Sequence, residues 1–161
     1  MSATLGDALR DKGMTIAVAE SCTGGLLGAA LTAVPGASDY MLGGVIAYAD
    51  AVKSDQLGVS RHLIAEHGAV SEQVATAMAE GVRQRLAADI GAGITGVAGP
   101  GGGGPDKPAG LGFVAVAWAG GVEAVRLEGD HGRETNRVLA VERALELCLR
   151  VVDRIGGGSR S

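Results

Sequence analysis

The sequence predicts an α/β fold: a three-layer α/β/α domain around a mixed sheet of about five strands, one of them antiparallel. Three observations lead there. The first half of the chain alternates short apolar runs with helical periodicity, the pattern of parallel strands joined by helices. Gly120-Gly121 separates two strand-like runs, a turn signal that requires an antiparallel hairpin. The chain has 161 residues, 47% hydrophobic and 20% charged, enough for one core and too few for two comfortable ones.

The elements follow in order. Residues 4–12 read as a short helix, and the apolar run from Met14 to Ala19 reads as a buried strand. Glu20-Ser21-Cys22-Thr23-Gly24-Gly25 leads into a helix over Leu26 to Val34, which stops before Pro35-Gly36. Val45 to Ala49 is expected to be the second strand. Ser71 is a candidate N-cap for a helix with Val74, Met78, Val82 and Leu86 on one face. Ile90 to Thr95 is a third strand weakened by two glycines. Leu111 to Ala119 and Val122 to Leu127 form the hairpin. Val138, Val141, Leu145, Cys148, Val152 and Ile155 step by three and four along a long last helix. Residues 1–155 are expected to form a single domain, with 156–161 as a frayed tail.

Composition excludes several classes. The net charge of −4 and only four aromatic residues argue against a nucleic-acid binder, which needs a basic face and stacking rings. No run of about 18 uncharged apolar residues exists to span a membrane, and the N-terminus lacks a secretion-signal core. Cys22 and Cys148 form no metal-ligand spacing. Free thiols point to the cytoplasm. Sheet domains of this size are commonly symmetric dimers, and a homodimer is expected.

The chemistry concentrates after three strands. Ligands of open α/β sheets bind beyond the carboxyl ends of the strands. Segments 20–25, 48–53 and 95–104 follow the first three predicted strands, and parallel pairing would gather them at one edge. Ser21 lies at a strand-to-helix junction, where it either caps the helix or serves as a nucleophile beside free N–H groups. Gly24 and Gly25 would let a substrate approach the backbone closely. A serine nucleophile needs a base. None of His62, His67 and His131 has a local motif tying it to Ser21. Tyr48 and Lys53 follow the second strand and could reach the same edge; the alternative for Lys53 is an ordinary solvated lysine. The run from Thr95 to Gly104 is either a flexible connection or a nest of N–H groups for phosphate. It carries neither a Walker A lysine nor a dinucleotide fingerprint. Arg133 and Arg137 are four residues apart on the last helix, either a solvated face or a phosphate clamp.

Taken together these motifs resemble the C-terminal domain of the competence-damage-inducible CinA family. The resemblance runs through Val18 to Leu26, Tyr48 through Lys53, Leu57-Gly58-Val59, Gly68 to Ser71, Thr95 to Gly102, Lys107 to Gly110, and Arg133 with Arg137. Stand-alone members of that family include nicotinamide-mononucleotide amidohydrolases. The resemblance implies hydrolysis of the carboxamide of nicotinamide mononucleotide to nicotinic acid mononucleotide and ammonia, without metal or cofactor. It implies Ser21 as nucleophile, Lys53 as general base and Tyr48 as an aid to proton transfer. It implies that the substrate is held by Thr23, Gly24, Gly25, Thr95, Gly96, Gly99, Gly101, Gly102, Arg133 and Arg137. A lysine base works only when neutral, so Lys53 is expected to be partly buried with a lowered pKa.

Two departures stand out. Asp50 and Val52 replace residues usual between the tyrosine and the lysine, and His131-Gly132 separates Gly129-Asp130 from Arg133. Larger members carry an N-terminal nucleotide-binding domain, for which 161 residues leave no room. The alternative to an amidohydrolase is a non-catalytic module that binds pyridine nucleotides; a third role is a domain that partners a separate nucleotide-processing protein.

Overall fold

The computed structural model describes residues 1–156. The elements run α1 (Ser2–Asp11), β1 (Ile16–Glu20), α2 (Leu26–Thr32), a 3-10 turn (Ala37–Asp39), β2 (Met41–Ile46), α3 (Asp50–Leu57) and α4 (Arg61–His67). They continue with α5 (Glu72–Arg85), β3 (Ile90–Gly96), β4 (Gly112–Trp118), β5 (Gly121–Leu127) and α6 (Arg133–Gly156). The strands form one five-stranded sheet in the order β2-β1-β3-β4-β5. β1 pairs in parallel with β2 and β3, while β3–β4 and β4–β5 are antiparallel. β4 is therefore the one strand that runs against the other four, as the hairpin signal requires.

Helices cover both faces. On one side α1, α2 and α6 enclose Ile16, Val18, Ile90, Ile94, Val114 and Val116. On the other, α3, α4 and α5 cover Ala17, Ala19, Ala115 and Ala117. The two glycines of β3 acquire a reason here. Ile90, Ala92 and Ile94 face the α6 side, and Gly91 and Gly93 face α5. A Cβ on Gly93 would lie 2.6 Å from the Ala75 carbonyl oxygen and 2.8 Å from the Ala79 nitrogen. The backbone of α5 thus rests directly on the backbone of β3, and only glycine leaves room for it.

Several elements differ from the sequence expectation. The second strand is Met41–Ile46 and not residues 45–49. It is an edge strand with Gly43 and Gly44 at its centre and alternating burial, so no apolar run marks it. Its place is fixed by register with β1, from Ile16 opposite Met41 to Glu20 opposite Ile46. The segment expected as a loop from residue 48 to 53 becomes helical at Asp50. α4 was not foreseen; Ser60 caps it by accepting from the Leu63 N–H. α2 ends at Thr32, two residues before the expected end at Val34. On α6 the expected face is buried from Val141 to Val152 and half-buried at Ile155, but Val138 is 45% exposed. Ser71 does cap α5, accepting from the Val74 N–H at 3.2 Å. Of the tail expected over residues 156–161, Gly156 is the last residue of α6, and residues 157–161 lie outside the described residues.

Gly93→Ala is expected to lower the folding free energy by about 1–3 kcal/mol, the usual range for overpacking a tight contact. Urea denaturation measures this. An unchanged midpoint would show that α5 does not sit against β3 as described.

Candidate active site

The parallel pairing of β1, β2 and β3 brings their carboxyl ends to one edge. Ser21 follows β1 directly, and its N–H continues the ladder by donating to the Ile94 carbonyl of β3 at 3.0 Å. The Ala47 N–H, just past β2, donates to the Glu20 carbonyl at 2.7 Å. Chain positions 21, 48 and 95 are therefore neighbours in space.

Ser21 does not cap α2. Glu20 does, from the end of the preceding strand. Its carboxylate is buried and accepts from the N–H groups of Leu27 at 2.8 Å and Gly28 at 3.0 Å. A carboxylate at a helix N-terminus satisfies two free donors and complements the helix dipole. Gly25, the backbone cap of α2, supplies no side chain and adopts φ +109°, while Gly24 adopts φ +58°. The turn needs glycine at both places. This frees the Ser21 hydroxyl.

That hydroxyl meets Lys53. The Lys53 Nζ lies 3.2 Å from Ser21 Oγ and donates to the Tyr48 carbonyl at 3.0 Å. Lys53 sits in the first turn of α3 and is 1% exposed. Burial pushes its pKa below the ordinary lysine value of 10.5, against the pull of the Asp50 carboxylate 3.9 Å away. Desolvation penalises the ammonium form and favours the free amine. The neighbouring Cys22 thiol is buried and pushed up to about 11 by the same effect, so it stays protonated at neutral pH.

The remaining candidates take varied positions. Tyr48 is 60% exposed, and its hydroxyl receives a hydrogen bond from Arg133 Nη2 at 3.4 Å. It meets Lys53 through its carbonyl and not through its phenol. Because α3 starts two residues later, the phenol is left at the surface beside Arg133. Arg133 also donates from Nη1 to the Gly99 carbonyl at 2.7 Å, joining the glycine-rich loop to the mouth of the site. Arg137 is turned inward: Nε donates to the Cys22 carbonyl at 3.0 Å and Nη2 to the Thr23 carbonyl at 3.3 Å. The Thr23 hydroxyl is buried without a hydrogen-bond partner. Thr95, also buried, donates to the Ala69 carbonyl at 2.8 Å. Gly96 closes β3 beside Cys22, and Gly101 and Gly102 lie in the exposed part of the loop.

These features match a known family over nearly the whole chain. The family model described as the CinA C-terminal domain matches residues 1–152. The chain belongs to the CinA C-terminal domain family. A CinA-like protein of Gemmatimonas aurantiaca is 55% identical over 150 residues, covering 93% of this chain and 35% of that protein. Another, of Salinibacter ruber, is 51% identical over 152 residues, covering 94% and 37% respectively. The chain thus spans about a third of the length of these curated relatives. Among solved structures, a CinA-superfamily protein of Klebsiella pneumoniae superimposes with a TM-score of 0.92 at 33% identity, covering 95% of this chain and 96% of that one. The competence/damage inducible protein CihA of Agrobacterium tumefaciens gives 0.87 at 37% identity, covering 94% and 95%.

Three residues of this CinA-family site escaped the sequence reading. Glu20 was visible as the one charge ending an apolar strand. Asn136, 9% exposed, donates to the Ala98 carbonyl and to Asp130 Oδ1, and accepts from the His131 N–H. It ties the glycine-rich loop to the start of α6 across the His131-Gly132 departure. Those contacts, with the Gly132 N–H, hold the Asp130 carboxyl below its usual pKa. Lys107 donates to the carbonyls of His67 and Val70, anchoring the far end of the same loop. Lys107 was visible only as the first residue of the matching stretch Lys107 to Gly110, without a role, and Asn136 gave no signal. A cleft of about 430 Å³ between α3 and α5, lined by Leu57, Gly81 and Arg85, includes none of the candidate residues. Among the described residues no group of three or more His, Cys, Asp or Glu is placed to hold a metal, and no helix is long and apolar enough to cross a membrane.

Lys53→Met replaces a buried amine by an apolar chain of similar length. Its folding free energy is expected to stay within about 1.5 kcal/mol of the parent, since a shape-conserving apolar swap offsets the lost hydrogen bonds. A larger loss in urea denaturation would make Lys53 a structural residue first.

Proposed function

We propose that the chain is a serine amidohydrolase that converts nicotinamide mononucleotide to nicotinic acid mononucleotide and ammonia. The observation that carries this is the buried Ser21 Oγ–Lys53 Nζ contact of 3.2 Å, with burial favouring the neutral amine. Family membership supports the substrate, through the resemblance to stand-alone nicotinamide-mononucleotide amidohydrolases.

The chemistry runs in two halves. The neutral Lys53 amine takes the Ser21 proton as Oγ attacks the carboxamide carbon. A C–O bond forms, and the carbonyl oxygen becomes an oxyanion. Unpaired backbone N–H groups of the 22–25 turn stabilise that charge, an effect worth about 3 kcal/mol per donor in other serine hydrolases. The intermediate collapses, the C–N bond breaks, and Lys53 returns the proton to the departing nitrogen, which leaves as ammonia. Water then attacks the acyl ester with Lys53 again as base. The C–O bond to Ser21 breaks, Oγ regains a proton, and the nicotinate form is released. Splitting amide hydrolysis through an acyl intermediate replaces one difficult step with two easier ones. The cysteine next in the chain is no substitute nucleophile, because burial pushes its thiol up to about 11 and keeps it protonated at neutral pH.

The nucleotide is held at the same edge by Thr95, Gly96, Gly99, Gly101 and Gly102, with Arg133 at the mouth beside Tyr48. Gly24 and Gly25 leave the approach to the Ser21 turn unobstructed. We place the reaction in the cytoplasm, where buried free thiols such as Cys22 and Cys148 persist.

Two measurements test the proposal. Purified protein given nicotinamide mononucleotide is expected to release ammonia, and Ser21→Ala to lower the rate by at least about 1000-fold. Binding without ammonia release would leave a nucleotide-binding module instead. The pH dependence tests the base. Only the deprotonated Lys53 accepts the serine proton, so kcat/KM is expected to rise with pH and level off, with a midpoint below 10.5. A rate that falls as pH rises through that region would exclude a lysine base.

A further inference from the structure

Arg137 is implied by the resemblance to hold the nucleotide, but its contacts in the fold are of another kind. The side chain reaches from α6 back across the site to the turn that follows Ser21. Its Nε donates to the Cys22 carbonyl at 3.0 Å and its Nη2 to the Thr23 carbonyl at 3.3 Å. These are successive carbonyls, and the rigid guanidinium fork fits both from one side. A trans peptide points its N–H opposite its C=O. Fixing the Cys22 carbonyl against α6 therefore turns the Thr23 N–H to the other side of the turn. That N–H makes no hydrogen bond among the described residues, whereas the next one, on Gly24, donates to the Ser21 carbonyl at 3.1 Å. Glu20 already occupies the first donors of α2, so they are not available to a substrate. The turn is held at both ends, by Glu20 on the N–H groups of α2 and by Arg137 on the carbonyls of Cys22 and Thr23.

We infer that Arg137 is a positioning residue that fixes the turn carrying Ser21, and that it is not a ligand of the substrate phosphate. This rests on the serine amidohydrolase proposed above. Arg133 differs: it is exposed, and it spans the glycine-rich loop and the Tyr48 hydroxyl at the mouth.

The experiment compares the parent with Arg137→Ala and Arg137→Gln. Three substrates are used: nicotinamide mononucleotide, nicotinamide riboside (the same amide without phosphate), and p-nitrophenyl acetate, whose burst of p-nitrophenol reports acylation of Ser21. Loss of positioning is expected to lower kcat about 100-fold on both nicotinamide compounds with KM within threefold. The acylation rate should fall by a similar factor. A loss confined to the phosphorylated substrate, carried by KM, would make Arg137 a phosphate ligand and overturn the inference. Arg137→Gln retains a donor, and a thermal midpoint close to that of the parent keeps the comparison valid if the alanine variant does not fold. If the parent hydrolyses neither nicotinamide compound, the amidohydrolase proposal fails separately, and the acylation burst decides for Arg137. An unchanged burst in the variants, or none in the parent, overturns it.

Discussion

The site is organised around one constraint: the amine of Lys53 is buried with no carboxylate in direct contact. Its partners are a hydroxyl and a backbone carbonyl, and the nearest anion, Asp50, stands 3.9 Å away. An amine so placed is costly as an ammonium and comfortable as a free base. Everything that brings it there is structural. β2 must end beside β1 so that Tyr48 can present its carbonyl, and α3 must start at once so that its first turn carries the lysine inward. The Val59 N–H donates back to the Lys53 carbonyl at 3.2 Å, closing the far end of that helix over the same residue.

The close seating of α5 on β3 serves the same end from below. Gly91 and Gly93 on the strand, with Ala75 and Ala79 on the helix, bring the two backbones together without intervening side chains. Gly81 of α5 does the same toward Leu57 of α3. A layer packed on glycine and alanine has little freedom to shift, because hard backbone atoms and not flexible side chains make the contact. The helix that carries Lys53 is thereby held against the sheet edge that carries Ser21. The 28 glycines of this light chain are thus partly devoted to closeness rather than to flexibility.

The turn after Ser21 illustrates how polar groups are divided. Its two ends are saturated, by Glu20 on the N–H groups of α2 and by Arg137 on the carbonyls of Cys22 and Thr23. Buried backbone groups are nearly always paired. The unpaired ones in this turn therefore stand out, as does the buried Thr23 hydroxyl without a partner.

The sequence by itself determined the fold class, the hairpin, the long helices α5 and α6, and the three segments where chemistry collects. Each rests on a local signal: apolar periodicity, a Gly-Gly turn, a serine cap, or glycine next to a strand end. The stretch from Glu20 to Gly25 and the Tyr48–Lys53 spacing were legible as motifs, and through them the family. Tertiary structure alone decided the rest. The edge strand β2 carries glycines where an apolar run would be expected, so only pairing with β1 fixes its limits. α3 and α4 are too short for periodicity to register. That Ser21 faces Lys53, that Glu20 takes over the cap, that Tyr48 offers its carbonyl and that Arg137 turns inward all depend on contacts between residues up to 115 positions apart in the chain. No local pattern encodes such contacts, because they arise only when the strand ends meet and each buried polar group must find a partner in what the packing brings near.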